Sequence, residues 1–290
     1  MRILVTGRTG QLAASLAESA PERTDVELIF LGRPEFDMER TTSIGEQIEA
    51  RRPDIVINAA AYTAVDKAET EPELASAINR DGAAAVARAA KRLGVPFVHI
   101  STDYVFDGRK AQPYVELDET APLNVYGRSK LEGERAVLEQ HPEALILRTS
   151  WVFSPFGSNF LKTMLKVGAE RPLLRVVSDQ VGNPTSALDL AATILEISPL
   201  LRSEPGGLYH LTGEGSTSWY GLAEYVLRES AKRGGPASTV EPISSIEYKT
   251  AATRPTNSRL DCSAFYSRFG VKLRHWTETA TENVLRCLAR

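Results

Sequence analysis

Short apolar runs alternate with helical stretches along the first half of the chain. Ile3-Leu4-Val5, Val26 to Leu31, Ile55-Val56-Ile57, Phe97-Val98-His99-Ile100 and Leu145-Ile146-Leu147 read as strands buried on both faces. Among the stretches between them, Glu73 to Leu93 is rich in alanine, stops at Gly94 and is followed by Pro96, the punctuation of a helix end. This alternation predicts an α/β fold, a doubly wound parallel sheet with its ligand crevice at the carboxyl ends of the strands. Past residue 150, Gly157, Pro172, Pro184, Pro205-Gly206-Gly207 and Gly234-Gly235-Pro236 cut the chain into shorter pieces. Helical patterns persist at Asn159 to Val167, Leu188 to Ile197 and Trp219 to Lys232. The pattern predicts a cofactor-type domain over 1–148 and a smaller substrate-binding cap over 149–290, with segments near 172–200 returning to the first domain.

Composition narrows the classes. With 290 residues, 42% hydrophobic and 24% charged, the chain can bury a large core. A net charge of −3 and scattered basic residues speak against nucleic acid or an acidic membrane as partner. No apolar run has the length of a membrane span, and the amino terminus reaches Thr6-Gly7 too soon for a signal peptide. Cys262 and Cys287 have no metal-type spacing, and the four histidines stand far apart, so no metal site is expected and a reducing cytoplasm is.

Candidate chemistry starts at the amino terminus. Gly7-Arg8-Thr9-Gly10-Gln11-Leu12-Ala13 follows the first strand and opens a helix. Its glycines permit a tight turn and a close backbone approach to a pyrophosphate, and Ala13 permits close helix–sheet packing. The second strand runs out at Leu31-Gly32-Arg33, without the acidic residue that usually holds a ribose 2′-hydroxyl. Arg33, with Arg8 in the turn, suits a 2′-phosphate, so NADPH is expected over NADH, with Glu35 or Asp37 as the acids that could still serve NADH. Asp37 and Met38 are expected beside the adenine, and Ala60, Ala61, Tyr62 and Thr63 along the cofactor.

A hydroxyl, a phenol and an ammonium follow in Ser101-Thr102-Asp103-Tyr104 and Tyr126-Gly127-Arg128-Ser129-Lys130. Tyr126 and Lys130 are four residues apart, one helical turn, which puts them on one face. Such a set can protonate a carbonyl oxygen while hydride reaches its carbon, with Thr102 steadying the developing charge. An ammonium about 4 Å from the phenol, at an effective dielectric near 20, would lower its pKa by roughly three units.

These motifs occur together with Asn58-Ala59-Ala60-Ala61-Tyr62-Thr63-Ala64-Val65-Asp66, Pro122-Leu123-Asn124-Val125-Tyr126-Gly127, Arg148-Thr149-Ser150-Trp151-Val152-Phe153 and Arg254-Pro255-Thr256-Asn257-Ser258-Arg259-Leu260. Over residues 1 to about 262 the chain resembles the extended short-chain dehydrogenases/reductases, in particular those that reduce dTDP-4-keto-6-deoxy sugars. The resemblance implies a Rossmann-type domain and reduction of the 4-keto group of dTDP-4-dehydro-6-deoxy-L-mannose by NAD(P)H, giving dTDP-L-rhamnose. It further implies that Thr102, Tyr126 and Lys130 are catalytic and also border substrate or cofactor, that Asp103 and Trp151 face the sugar, and that Asn159 and Arg254 lie on its nucleotide side.

Other readings differ in chemistry. A 4,6-dehydratase needs a second carboxylate after the first, where this chain has Tyr104. An epimerase would retain NAD, and a regulatory protein like the methionine adenosyltransferase subunit would bind a partner enzyme without turnover. Some relatives bridge a dimer through magnesium held by glutamates. Here Ser15 and Leu188 stand at those places, so a monomer or a dimer without a magnesium bridge is expected.

Overall fold

A computed structural model describes residues 1–20 and 25–289. The first half runs β1 (Arg2–Thr6), α1 (Gln11–Ser19), β2 (Glu27–Leu31), α2 (Thr41–Glu49), β3 (Ile55–Asn58), α3 (Val65–Ala68), α4 (Pro72–Ser76), α5 (Ala83–Leu93), β4 (Phe97–Thr102), α6 (Val125–Gln140) and β5 (Leu145–Thr149). The second half runs β6 (Val152–Phe153), α7 (Phe160–Glu170), β7 (Leu173–Val177), β8 (Val181–Gly182), β9 (Thr185–Ser186), α8 (Ala187–Ile197), β10 (Gly207–His210), β11 (Thr217–Ser218), α9 (Trp219–Ala231), β12 (Thr239–Ile243), α10 (Ser263–Phe269) and α11 (Trp276–Leu288).

Six strands form one parallel sheet in the order β10-β5-β4-β3-β1-β2. Both faces are covered. Ile3, Val5, Ile57 and Val98 pack on Leu12 and Leu16 of α1 and on Leu190 and Ile194 of α8. Leu4, Val56, Phe97 and Ile146 pack on Ile44 and Ile48 of α2, Val86 of α5 and Val137 of α6. A third core joins Phe153, Leu161, Leu165, Val176, Leu222, Val226, Trp276 and Val284 beyond the sheet's end. There the strands occur as three separate pairs: β7 with β12, β8 with β11, and β6 with β9. The switch in strand order between β1 and β3 opens a crevice at their carboxyl ends.

Two segments depart from the pattern-based reading. Gly206-Gly207 breaks the hydropathy, yet Gly207–His210 is the sheet's sixth strand. A Cβ on Gly206 would stand 2.4 Å from the Leu145 nitrogen, so glycine is what lets this strand close on β5. The alanine-rich stretch from Glu73 to Leu93 is helical throughout, as its pattern predicts, but departs from regular α geometry in a π-helical turn over Ala77–Gly82 between α4 and α5. That turn carries Asn79, whose amide bonds both the N–H and the carbonyl of Tyr62. Gly94 ends α5 at φ 67°, the left-handed cap that its position predicts.

Candidate active site

The crevice is a cleft of about 640 Å³. The glycine turn forms its floor, from Gly7 to Leu12. Gly7 has φ 93°, donates its N–H to the Leu31 carbonyl at 2.8 Å and lies flat against Ala59 and Ala60. A Cβ there would meet backbone at 3.1 Å in an unfavourable φ region, so the turn admits only glycine comfortably. Arg8, Gly32, Arg33, Phe36 and Met38 wall one end. A Cβ on Gly32 would come within 2.7 Å of the Arg8 Cβ, which accounts for the missing acid at the end of β2. Arg8 reaches Glu35 across 3.5 Å, but both side chains are over half exposed, so the pair is weak and the guanidinium remains available. A glycine-walled turn with two guanidinium groups at the far end fits a dinucleotide carrying a 2′-phosphate.

At the other end stand Thr102, Asp103, Tyr126, Lys130 and Trp151. Thr102 ends β4, accepts the Tyr104 N–H at 3.2 Å and donates to Asp103 Oδ1 at 3.0 Å. Asp103 is buried and its Oδ2 has no hydrogen-bond partner among the described residues. Burial pushes its carboxyl up to about 7, against the pull of the neighbouring hydroxyls. Tyr126 lies in the first turn of α6, which Asn124 caps by accepting the Gly127 N–H at 2.8 Å. A Cβ on Gly127 would stand 2.2 Å from the Tyr104 carbonyl, so glycine brings the helix against the end of β4. Ser129 donates to the Tyr126 carbonyl and accepts from Asn79, tying α6 to the π-helical turn.

Lys130 is 2% exposed and donates to the Ile100 carbonyl at 2.6 Å. Burial lowers its pKa to about 8, with the Glu134 carboxylate opposing. The phenol does not behave as spacing alone suggests. Burial raises Tyr126 to about 12, opposed by the Thr102 hydroxyl and aided by Asp103. Lys130 turns its ammonium to the Ile100 carbonyl and does not offset this desolvation, so the phenol is fully protonated at neutral pH.

Trp151 takes φ 46°, a region bulky side chains avoid, and stacks face to face on Trp219 with centroids 3.5 Å apart. Gly182 leaves room for the indole edge, since a Cβ there would lie 2.5 Å from it. Asn159 caps α7 and lines the cleft. With Ser154 it donates to the side-chain oxygen of Gln11, whose nitrogen donates to the Val152 carbonyl. Gln11 thus ties the glycine turn to the second half of the chain.

Ala60, Ala61 and Thr63 also line the cleft, while three expected residues lie outside its lining. The Asp37 carboxylate turns back to the Glu39 N–H at 3.1 Å. Tyr62 donates its phenol proton to Glu71 at 2.7 Å. Arg254 forms a two-pronged pair with Asp66, at 2.6 and 3.1 Å, and links the cap to the segment after β3. Their hydrogen-bond partners, local for Asp37 and Tyr62 and distant for Arg254, decide where these side chains go. Asn58, Asn79 and His99 are buried, and the sequence reading gives none of them a role; a polar residue closing (Asn58) or interrupting (His99) an apolar strand was the available signal for two of them. Ser15 and Leu188 are buried in the helices α1 and α8 that pack together. Among the described residues no cluster of metal-ligating side chains occurs, and no helix is long and apolar enough to cross a membrane.

A parallel sheet with a glycine turn at its switch point defines a dinucleotide-binding protein of the Rossmann type. The family model described as RmlD substrate binding domain matches residues 1–288, and the chain belongs to that family. A protein of Sinorhizobium fredii named dTDP-4-dehydrorhamnose reductase is 48% identical over 283 residues, covering 96% of this chain and 95% of its own. One of Burkholderia thailandensis with the same name is 42% identical, covering 95% of each. Two solved structures named likewise are each 36% identical. That from Clostridium acetobutylicum has TM-score 0.93 and full coverage of both chains. That from Bacillus anthracis, in complex with NADP, has TM-score 0.89 and 98% coverage of both.

Proposed function

We propose that this chain is a dTDP-4-dehydrorhamnose reductase, which uses NADPH in preference to NADH to reduce the 4-keto group and form dTDP-L-rhamnose. One observation carries the reading: a single cleft joins the glycine turn and its two guanidinium groups to Thr102, Tyr126, Lys130 and Trp151. The names of relatives that match nearly the whole chain support the substrate, and the NADP complex supports the cofactor.

Gly7 to Leu12 would hold the pyrophosphate, Arg8 and Arg33 the 2′-phosphate, and Lys130 the nicotinamide ribose. When bound, the reduced nicotinamide supplies hydride to C4. Tyr126, protonated at neutral pH, donates its proton to the sugar oxygen. Thr102 turns its hydroxyl from Asp103 to that oxygen and stabilises the charge that develops there. Trp151 offers its indole as a platform for the sugar, and Asn159 borders the nucleotide side. Arg254 serves through Asp66, holding the cap in place over the site.

The division at about residue 148 is part of the same proposal: the residues beyond it cap the cleft, except where α8 and β10 rejoin the sheet. So is action as a monomer, or a dimer built without magnesium, in the cytoplasm. The test of the site is Tyr126→Phe. Turnover should fall by about 10²–10⁴ while NADPH affinity stays within a factor of about two. Undiminished turnover would remove Tyr126 from its role.

A further inference from the structure

Three adjacent central strands carry buried polar residues, Thr6 and Asn58 closing β1 and β3 and His99 lying within β4, and the register aligns them. Thr6 of β1 stands opposite Asn58 of β3, and Asn58 opposite His99 of β4. All three are at most 1% exposed, on the face that also carries Leu4, Val56 and Phe97. Buried polar groups persist where they are bonded, and these bond to one another. The Thr6 hydroxyl donates to Asn58 Oδ1 at 2.5 Å, the Asn58 amide nitrogen lies 3.0 Å from His99 Nδ1, and His99 Nε2 lies 3.4 Å from Lys130 Nζ.

The backbone sets the direction of this chain. The Ala60 N–H donates to Thr6 Oγ1 at 3.3 Å, and a backbone N–H cannot reverse. Among the described residues the Thr6 hydroxyl has no acceptor other than Asn58. The amide oxygen of Asn58 therefore faces Thr6, and its NH₂ faces Nδ1, which must accept. Burial, followed by the charge of Lys130, holds the imidazole neutral, so its single proton sits on Nε2, toward the lysine.

We propose that the Thr6–Asn58–His99 ladder presents a donor to Lys130, which eases the loss of a proton from its ammonium, and that His99 is therefore a positioning residue for the reduction. An N–H facing an amine lone pair is a hydrogen bond; facing an ammonium it is donor against donor. Other charged groups also bear on the lysine. On α6, Glu134 favours the ammonium but is shared with Ser101 and with Arg148 of β5. Asp103 at the end of β4 and Tyr126 on α6 share the cleft with Lys130. Once Tyr126 has given its proton to the sugar oxygen, Lys130 returns one to the tyrosinate. The amine then rests on the His99 N–H until water in the cleft restores its proton.

The inference rests on the catalytic role of Lys130, and two measurements separate the two. Imidazole ¹⁵N spectra of the whole chain should show His99 protonated at Nε2; a proton on Nδ1 overturns the ladder whatever the activity. Asn58→Leu frees Nδ1 to carry the proton and turns Nε2 into an acceptor for the ammonium. The alkaline limb of kcat should then move up by about half a pH unit or more. Thr6→Val should move it the same way if the first variant does not fold. A limb that stays or moves down overturns the proposal. Residual turnover of Lys130→Met with the wild-type limb would instead fault the assignment of Lys130, leaving the tautomer result standing.

Discussion

Replacing Asp103 by asparagine should remove a pH dependence of stability that the wild type carries. Asp103 is 2% exposed, and burial pushes its carboxyl to about 7 from an ordinary 3.8. That difference of about three units corresponds to about 4 kcal/mol at 1.36 kcal/mol per unit. Between the two values the folded chain holds a proton that the unfolded chain has released, so stability falls as pH rises. The contribution is complete below the unfolded value and gone once pH passes the folded one. Asparagine stays neutral, and its amide oxygen keeps the bond from Thr102. Urea unfolding of the free chain, followed by tryptophan fluorescence, would compare the two proteins at pH values from about 4 to about 8. They should be nearly equal at the acid end, with the variant ahead by about 4 kcal/mol at the alkaline end. Parallel stability curves would refute the view that a buried, half-bonded carboxyl stands in the cleft.

Gly32→Asp forces a side chain against the Arg8 Cβ and puts a carboxylate where the 2′-phosphate is proposed; the KM for NADPH should rise at least about tenfold, while that for NADH should change less, in steady-state assays with both donors. Arg148→Met leaves Glu134 buried without its two bonds at 2.7 and 2.9 Å, and urea unfolding should show a loss of roughly 3–5 kcal/mol, much of it regained when Glu134→Leu is added. Trp219→Ala removes the stacking support of Trp151, so the KM for the keto sugar should rise several-fold while NADPH affinity, measured by titration, stays put.

Much of this fold lies open in the hydropathy, because strands buried on both faces are short continuous apolar runs. The same rule hid β10, because Gly206-Gly207 looks like a break, although Gly206 is required by contact with Leu145 and Gly207 by its φ of 131°. The alanine-rich composition that marks the run from α4 to α5 as helical does not reveal its π-helical turn, which carries the bonds of Asn79 to Tyr62. The glycine turn and the Tyr126–Lys130 pair are local in sequence, and spacing suffices to bring each into the cleft. The pairing of Arg254 with Asp66 was out of reach because the two are 188 positions apart. The protonation of Tyr126 depends on burial, which no motif records.

The central claim is tested by supplying the keto sugar from dTDP-glucose through a dehydratase and an epimerase, and following NADPH consumption together with the product. NADPH should be consumed only when both helper enzymes are present, and dTDP-L-rhamnose should accumulate in equal amount. Consumption without the epimerase would assign the cleft to a different keto sugar. No consumption by folded protein, with either NADPH or NADH, would contradict the account.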